Sequence, residues 1–298
     1  MTKRTTKQEK TETIHKSKPQ KPLDPLELRG YSLPLGKRTL IMGILNVTPD
    51  SFSDGGQFTE VEKALFHGKK MVEEGADIID IGGESTRPGA IKVEEEEELK
   101  RVMPMVKALV EALEVPISVD TYKAPVAKAA LEAGVHMIND VWGLQRDKEM
   151  ASVVASFGVP VCIMHNQEGT EYKEDILSSI KKFFEKSLTM AREAGIDDKN
   201  ILLDPGIGFG KTPEQNIYVM GRLQELQEFG YPVLLGTSRK SMIGKILDLA
   251  PEQRMEGTLA TNVIGVYQGV EIIRVHDIKE NLRGIKVADA ILRGVEHG

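Results

Sequence analysis

The sequence predicts an α/β fold, a (β/α)8 TIM barrel with a short N-terminal hairpin and a disordered basic tail. Eight short runs of Ile, Val and Leu alternate with longer amphipathic segments, and six of these segments end at a glycine just before the next run. Runs this short and apolar are typical of strands covered on both faces, as in a parallel sheet. Eight such units in about 250 residues favour a closed barrel. A doubly wound open sheet is the alternative, because alternation alone does not prove closure.

The predicted strands are apolar runs that end in polar residues, and they cover residues 39–47, 76–83, 115–121, 136–141, 159–165, 200–206, 231–238 and 270–276. Glycine stands where a helix C′ residue belongs before six of them, at Gly75, Gly134, Gly158, Gly195, Gly230 and Gly269. Thr59 and Glu62 form a capping-box pattern that predicts the start of the first helix. Thr212 and Gln215, on either side of Pro213, predict the start of a later one.

The chain divides into a basic tail, residues 1–26, and a single domain, residues 27–298, that begins with a hairpin predicted within residues 27–38 across the barrel bottom. Residues 1–22 carry seven Lys or Arg and two Glu, a net charge of +5. Because the whole chain has a net charge of −6, the remainder has a net charge of −11. The tail has almost no apolar residues to bury and is predicted to be disordered. An acidic body argues against nucleic-acid binding, which needs a basic face.

Composition also indicates where the protein works. No apolar run approaches the roughly 18 residues that cross a bilayer, so no membrane span is predicted. The first residues lack the apolar stretch of a signal peptide. Cys162 is the only cysteine and has no internal disulfide partner, which fits a reducing compartment. These features predict a cytoplasmic protein.

Every predicted strand ends in polar residues, and in a barrel the active site lies at those ends. The residues are Asn46, Asp80, Glu84, Asp120, Asn139, Asp140, His165, Asp204, Ser238, Arg239, Lys240, Arg274 and His276. The set contains no Ser–His–Asp or Cys–His nucleophile pattern and no zinc spacing. Oxygen ligands from Asn46 and Asp54, together with substrate phosphate, would suit Mg²⁺. The loops over residues 47–58 and 83–90 are long enough to be predicted to close over a substrate.

Two further motifs favour structural interpretations. Residues 205–212 resemble a phosphate-binding Walker A loop, but Pro205 replaces its first glycine, so nucleoside triphosphatase activity is rejected and Lys211 is interpreted as structural. The glutamates at Glu94–Glu98 are interpreted as a solvated helix start that complements the helix dipole.

Eight motifs at the strand ends resemble, in order, those of the dihydropteroate synthase family. They lie in residues 42–56, 81–90, 119–123, 138–143, 164–166, 203–216, 236–244 and 274–277, and the resemblance spans residues 27–298. It implies a barrel enzyme of folate biosynthesis that joins p-aminobenzoate to 6-hydroxymethyl-7,8-dihydropterin pyrophosphate, with Mg²⁺, and releases pyrophosphate and 7,8-dihydropteroate. It further implies a homodimer and competition by sulfonamides at the p-aminobenzoate site.

The resemblance also implies roles for individual residues. The catalytic residues would be Asp54, Asp120, Lys240 and Arg274. The pterin would contact Asp120, Asn139, Met164, Asp204, Phe209, Lys240 and Arg274. Pyrophosphate would contact Asn46, Arg274 and His276, with Asn46 also bound to Mg²⁺. Lining residues for p-aminobenzoate would be Thr86, Arg87, Pro88 and Ser241, with Asp54 beside them.

Two other functions fit parts of the pattern. A pterin-dependent methyltransferase shares the barrel and the pterin pocket but has no use for a pyrophosphate site. A catalytically silent pterin-binding paralogue would have lost some of the residues Asn46, Asp54, Arg87, Lys240, Arg274 and His276, yet all six are present.

Overall fold

The computed structural model describes residues 23–47, 57–84 and 93–294, which form a hairpin and a parallel barrel. The hairpin strands are β1 (Leu26–Leu28) and β2 (Tyr31–Leu33). The barrel strands are β3 (Leu40–Asn46), β4 (Ile78–Gly82), β5 (Ile117–Asp120), β6 (Met137–Asp140), β7 (Val161–Met164), β8 (Ile201–Asp204), β9 (Leu234–Leu235) and β10 (Ile272–Val275). Each barrel strand lies within one of the eight predicted runs, so the predicted strands are confirmed.

The barrel strands pair in parallel in the order β8–β7–β6–β5–β4–β3–β10–β9. A parallel bridge between Leu203 and Val233 brings β8 and β9 together at the seam of the ring. The predicted barrel is therefore confirmed, and the open sheet is not observed.

Helices follow the strands and cover the barrel. They are α1 (Gln57–Glu73), α2 (Glu95–Ala112), α3 (Ala124–Glu132), α4 (Met150–Phe157), α5 (Ile176–Glu193), α6 (Pro213–Met220), α7 (Ser241–Leu247), α8 (Met255–Tyr267) and α9 (Ile278–Arg293). Short 3-10 segments lie at Asp198–Asn200, Leu223–Phe229 and Pro251–Gln253. The six predicted glycine stops all have φ between 63° and 102°, the left-handed conformation in which a helix commonly ends.

One predicted helix start is confirmed and the other is wrong. The Thr212 hydroxyl accepts the Gln215 N–H at 3.2 Å, and the Gln215 side chain accepts the Thr212 N–H at 2.8 Å. By contrast, α1 begins at Gln57, so Thr59 lies inside its first turn and cannot be its N-cap. The helix starts earlier than the capping pattern requires, and a local pattern does not set a boundary by itself.

The lower half of the barrel interior, at the N-terminal ends of the strands, is apolar. Its side chains, the lower layer, are Leu40, Met42, Ile78, Met137, Cys162, Leu202, Leu234 and Ile272, and all are fully buried. Leu26, Leu28 and Leu35 of the hairpin segment pack beneath them. The predicted hairpin across the barrel bottom is confirmed, although it begins at Leu26, one residue inside the predicted tail. Residues 1–22 of that tail lie outside the described residues.

A second apolar cluster fills the space between the outer faces of the strands and the helices. Within the described ranges, no helix is long and apolar enough to cross a bilayer.

Candidate active site

Polar side chains occupy the barrel interior above the lower layer. Residues two apart on a strand point to the same face, so the residue two positions after each lower-layer residue also points into the barrel. Four strands carry an apolar residue and then, two residues later, a polar one: Ile78 and Asp80, Met137 and Asn139, Leu202 and Asp204, Ile272 and Arg274. On β5, both Ser118 and Asp120 are polar. The upper layer is defined here as Asp80, Ser118, Asp120, Asn139, Asp204 and Arg274.

Arg274 joins two carboxylates across the upper layer. Its Nε donates to Asp80 Oδ2 at 2.7 Å, and its Nη2 donates to Asp120 Oδ2 at 2.9 Å. Asn139 Nδ2 donates to the same Asp80 oxygen at 3.1 Å. Charge-assisted bonds of this kind are the strong ones, and here they link four side chains from four strands in one network. The upper layer is therefore a preorganised polar surface.

Four side chains of the upper layer keep a buried oxygen that has no hydrogen-bond partner within the described part of the chain: Asp80 Oδ1, Ser118 Oγ, Asp120 Oδ1 and Asn139 Oδ1. A buried polar atom without a partner is unfavourable, so these four indicate a ligand, and the carboxylate and amide oxygens among them call for N–H or O–H donors. Burial raises the pKa of Asp120 to about 7, the positive charge of Arg274 opposes the rise, and the negative charge of Asp80 adds to it. Perturbed carboxyl groups of this kind cluster at functional sites.

The ends of β8 and β9 supply a second wall. The buried Asp204 accepts a backbone N–H from the following turn at 2.7 Å, and burial raises its pKa against the opposing charge of Lys240. Lys240 donates to the carbonyl of Ile207, and its ammonium lies 4.1 Å from the centre of the Phe209 ring. Burial lowers the pKa of Lys240 to about 8, an effect that Asp204 opposes. Met164 is buried at the end of β7.

Two of the residues predicted to bind pyrophosphate, Asn46 and His276, line one pocket of about 620 Å³ between the barrel mouth and α1. The Ser238 hydroxyl lies 2.8 Å from Nδ1 of His276 and accepts its backbone N–H at 3.2 Å. These bonds fix the imidazole at the end of β10, near the polar cluster that Arg274 organises.

The predicted p-aminobenzoate residues are only partly described. Ser241 is the first residue of α7, directly after Lys240, and it is exposed. Asp54, Thr86, Arg87 and Pro88 lie outside the described residues. The predicted pterin residues, in contrast, all lie at the C-terminal end of the barrel. The roles of all these residues stay predictions.

Residues 42–276 match the pterin binding enzyme family. A dihydropteroate synthase of Clostridium beijerinckii is 56% identical over 263 residues, which cover 87% of this chain and 96% of that protein. The chain belongs to the dihydropteroate synthase family of pterin binding enzymes.

Solved structures agree with this assignment. Dihydropteroate synthase from Clostridium difficile, crystallised in the presence of pteroic acid, superposes with a TM-score of 0.86 at 59% identity and covers 87% of this chain and 98% of that one. The Xanthomonas albilineans dihydropteroate synthase with 4-aminobenzoic acid has a TM-score of 0.86 at 43% identity, over 91% of this chain and 98% of that one.

Asp80 is a residue of the site to which sequence reasoning gave no role, although it was counted among the polar strand ends. It is fully buried and accepts hydrogen bonds from both Arg274 and Asn139. Period-two alternation on β4 could have found it, because Asp80 shares a face with Ile78 of the lower layer.

Lys123 was also missed, and it overturns one interpretation. Its ammonium donates to Glu84 at 2.5 Å, to the Val93 carbonyl at 2.8 Å and to Glu98. Glu98 is only 1% exposed, so the interpretation of all five glutamates as a solvated helix start is wrong at this position. The helix dipole does not explain Glu98, because its buried side chain is paired with the half-buried ammonium of Lys123. Glu84 and Val93 flank residues 85–92, so Lys123 ties together the two ends of that segment.

Proposed function

We propose that this chain condenses p-aminobenzoate with 6-hydroxymethyl-7,8-dihydropterin pyrophosphate and releases 7,8-dihydropteroate and pyrophosphate, as a transferase of folate biosynthesis. The observation that carries the proposal is the cluster of buried, partnerless oxygens on Asp80, Asp120 and Asn139. A pterin ring presents amino and ring N–H donors along one edge, which is the ligand chemistry those acceptors require.

The walls of the cluster fit the remaining surface of a pterin. Asp120, Asn139 and Asp204 would accept from its donor edge, and Lys240 would donate to its ring oxygen and nitrogen. Phe209 and Met164 would contact the ring with apolar surface. The guanidinium plane of Arg274, held by Asp80 and Asp120, would stack on the ring.

The reaction needs no protein nucleophile. The bond between the pterin methylene carbon and the pyrophosphate oxygen breaks, and its electron pair leaves with pyrophosphate. Asn46, Arg274 and His276 stabilise the charge that develops on the leaving group. Asp120 stabilises the positive charge on the methylene carbon. The arylamine nitrogen of p-aminobenzoate forms the new C–N bond, and the proton that it loses passes to solvent.

Mg²⁺ is proposed as the metal. No group of three His, Cys, Asp or Glu side chains with metal-binding geometry occurs among the described residues. Mg²⁺ commonly takes most of its ligands from water and substrate phosphate, so it needs few from the protein. Asn46, at the barrel mouth, would supply an amide oxygen, and the ion would neutralise pyrophosphate charge.

The p-aminobenzoate site is proposed at the start of α7 and in the loops that carry Asp54 and Thr86–Pro88. Ser241 offers a hydroxyl beside Lys240 at the mouth of the barrel. Sulfonamides carry the same para-substituted aniline as p-aminobenzoate, so we expect them to compete for this site.

A homodimer and a cytoplasmic location are also proposed. Ile264 and Tyr267 on α8 and Val287 and Ile291 on α9 are between 49% and 77% exposed. Apolar residues exposed together on neighbouring helices favour association with a second copy. Light scattering should give a dimer for the wild type and a monomer for Ile291→Asp, and a wild-type monomer would refute the dimer. The free, buried Cys162 suits a reducing cytoplasm.

Pyrophosphate release tests the function directly. Purified protein receives the pterin pyrophosphate and Mg²⁺, with and without p-aminobenzoate. We expect release that depends on p-aminobenzoate and equals the dihydropteroate formed. Pterin binding without release would favour the silent paralogue, and failure to bind the pterin would refute the proposed pocket. Neither the paralogue nor the methyltransferase is favoured by the relatives, which include dihydropteroate synthases at 56% and 54% identity.

A further inference from the structure

The glycine-rich turn after β8 has a lysine whose position differs from that of a phosphate-binding loop. Lys211 folds back into its own turn and is only 7% exposed. Its ammonium donates to the Gly206 carbonyl at 2.9 Å and the Phe209 carbonyl at 3.0 Å. It lies 2.8 Å from Nδ1 of His165. The lysine is therefore enclosed by the turn instead of reaching outward.

His165 completes the enclosure as a neutral acceptor. Burial lowers its pKa to about 2, and the charge of Lys211 adds to the effect. Its ring packs edge-on to Phe183 at 4.9 Å and stacks on Tyr172 at 6.3 Å, which fixes its orientation. A neutral imidazole with the proton on Nε2 accepts at Nδ1. Burial lowers the pKa of Lys211 to about 7, an effect that the charge of Asp204 opposes and that of Lys240 reinforces. In the protonated form of Lys211, with this tautomer of His165, all three N–H bonds of the ammonium have acceptors.

The outer surface of the same turn contacts the pterin side of the site. The Ile207 carbonyl accepts from Lys240, and the Phe209 ring lies beneath the Lys240 ammonium. A Cβ added to Gly208 would lie 2.6 Å from Lys240 Cδ, so this side chain packs tightly against the turn. The position of the turn therefore sets the position of two predicted pterin contacts.

We propose that Lys211 is a positioning residue for the pterin site: its enclosed ammonium fixes the turn of residues 206–210 and, through it, Phe209 and Lys240. The inference rests on the proposed function. Under this proposal Lys211 neither binds phosphate nor takes part in catalysis, but holds the turn in place.

The test removes the ammonium and then returns it. Lys211→Ala deletes the atoms that propylammonium contains, and Lys211→Met fills the same space without N–H donors. Binding of the pterin pyrophosphate is measured by calorimetry, and the KM for p-aminobenzoate by turnover. We expect both variants to bind the pterin about 10- to 100-fold more weakly, as the loss of charge-assisted hydrogen bonds implies, with the KM changed less than about threefold.

Rescue by an added amine distinguishes a role of the Lys211 ammonium from a role of the side-chain volume. Propylammonium should restore most of the pterin affinity of Lys211→Ala and none of that of Lys211→Met, whereas tetramethylammonium, which lacks N–H donors, should restore neither. Lys199→Ala, which changes an exposed lysine, is the matched control and should bind as wild type with or without the amine.

Four outcomes would overturn the inference. Wild-type pterin affinity in folded Lys211→Met would show that the cation is not needed. Weak binding by Lys211→Ala that propylammonium does not improve would assign the side chain to packing alone. An unfolded Lys211→Ala that propylammonium does not refold would do the same. A wild-type protein that cannot bind the pterin would refute the proposed function, and this inference with it.

Discussion

The lower and upper layers of the barrel interior are built on the same strands, two residues apart, and differ in almost every physical respect. Ile78, Met137, Leu202 and Ile272 below are apolar and fully buried. Asp80, Asn139, Asp204 and Arg274 directly above are polar, and two of them retain buried oxygens without partners in the described residues. Because both layers lie on the same strands, strand geometry does not explain their difference in polarity. The difference matches their surroundings: the lower layer packs against the hairpin, and the upper layer lies at the C-terminal end of the barrel.

The contrast separates stability from recognition. The lower layer packs against the hairpin and needs no ligand. The upper layer combines buried carboxylates with cations, and such groups are costly to bury unless they are paired. Barrel enzymes place reactive groups at the C-terminal ends of the strands. Substitutions at the two levels should therefore change different measurements.

The largest effect on turnover is expected from substitution of Asp120 in the upper layer and of Lys240 beside it. Asp120→Ala and Lys240→Ala should each lower kcat/KM at least about 1000-fold, because each removes a charged group next to the reacting centre. The melting temperature should change by only a few degrees in either variant. Near-wild-type turnover in a folded variant would remove that residue from the mechanism.

The opposite result is expected below. Leu202→Ala, two residues before Asp204, should lower the free energy of unfolding by about 2 to 5 kcal/mol, because it opens a cavity in the lower layer. Denaturant titration measures the loss, and kcat of the folded protein at low temperature should stay within about twofold. A large loss of kcat at unchanged stability would break the contrast between the layers.

Sequence patterns predicted the fold because its signals are repeated. Eight apolar runs and six glycine stops repeat the same strand and helix-end signals along the chain. A single wrong boundary, such as that at Thr59, therefore does not change the predicted fold. The hairpin was predicted from its position before the first strand, with an error of one residue at Leu26.

The site was only partly predictable, for a different physical reason. Side chains such as Asp120 and Arg274 follow from strand ends and from the family motifs. Glu98 and Lys123 meet across 25 positions of the chain, and no periodicity reports that contact. Lys211 could be recognised as structural from its motif, but its acceptors at His165 and in its own turn required coordinates.

A smaller effect, on the pH dependence of stability, is expected from Glu271 at the lower end of the barrel. Glu271 is buried, its carboxylate accepts the Val233 N–H at 2.7 Å, and burial raises its pKa from 4.5 to about 7. The native state thus binds this proton more tightly than the unfolded state. Its contribution to stability is complete below pH 4.5 and is lost as the pH rises through about 7.

Glu271→Gln keeps the acceptor and removes the titration. Between about pH 5 and pH 8, the unfolding free energy of the wild type should fall by about 2 kcal/mol relative to the variant. Turnover at neutral pH should be unchanged, since Glu271 lies away from the upper layer. Parallel stability curves for the two proteins would show that Glu271 does not titrate in this range.

The smallest effect should distinguish the two substrates. The pterin is expected to bind groups fixed on strand ends, whereas p-aminobenzoate is expected to bind residues of the loops, among them Arg87. Arg87→Ala should raise the KM for p-aminobenzoate about tenfold and leave pterin affinity within about twofold, because it removes one contact to one substrate. Arg192→Ala, an exposed arginine on α5, is the matched control and should change neither constant. Unchanged steady-state constants for Arg87→Ala would refute the assigned contact. Equal losses for both substrates would instead join the loop to the pterin site, and the separation between strand-borne and loop-borne recognition would fail.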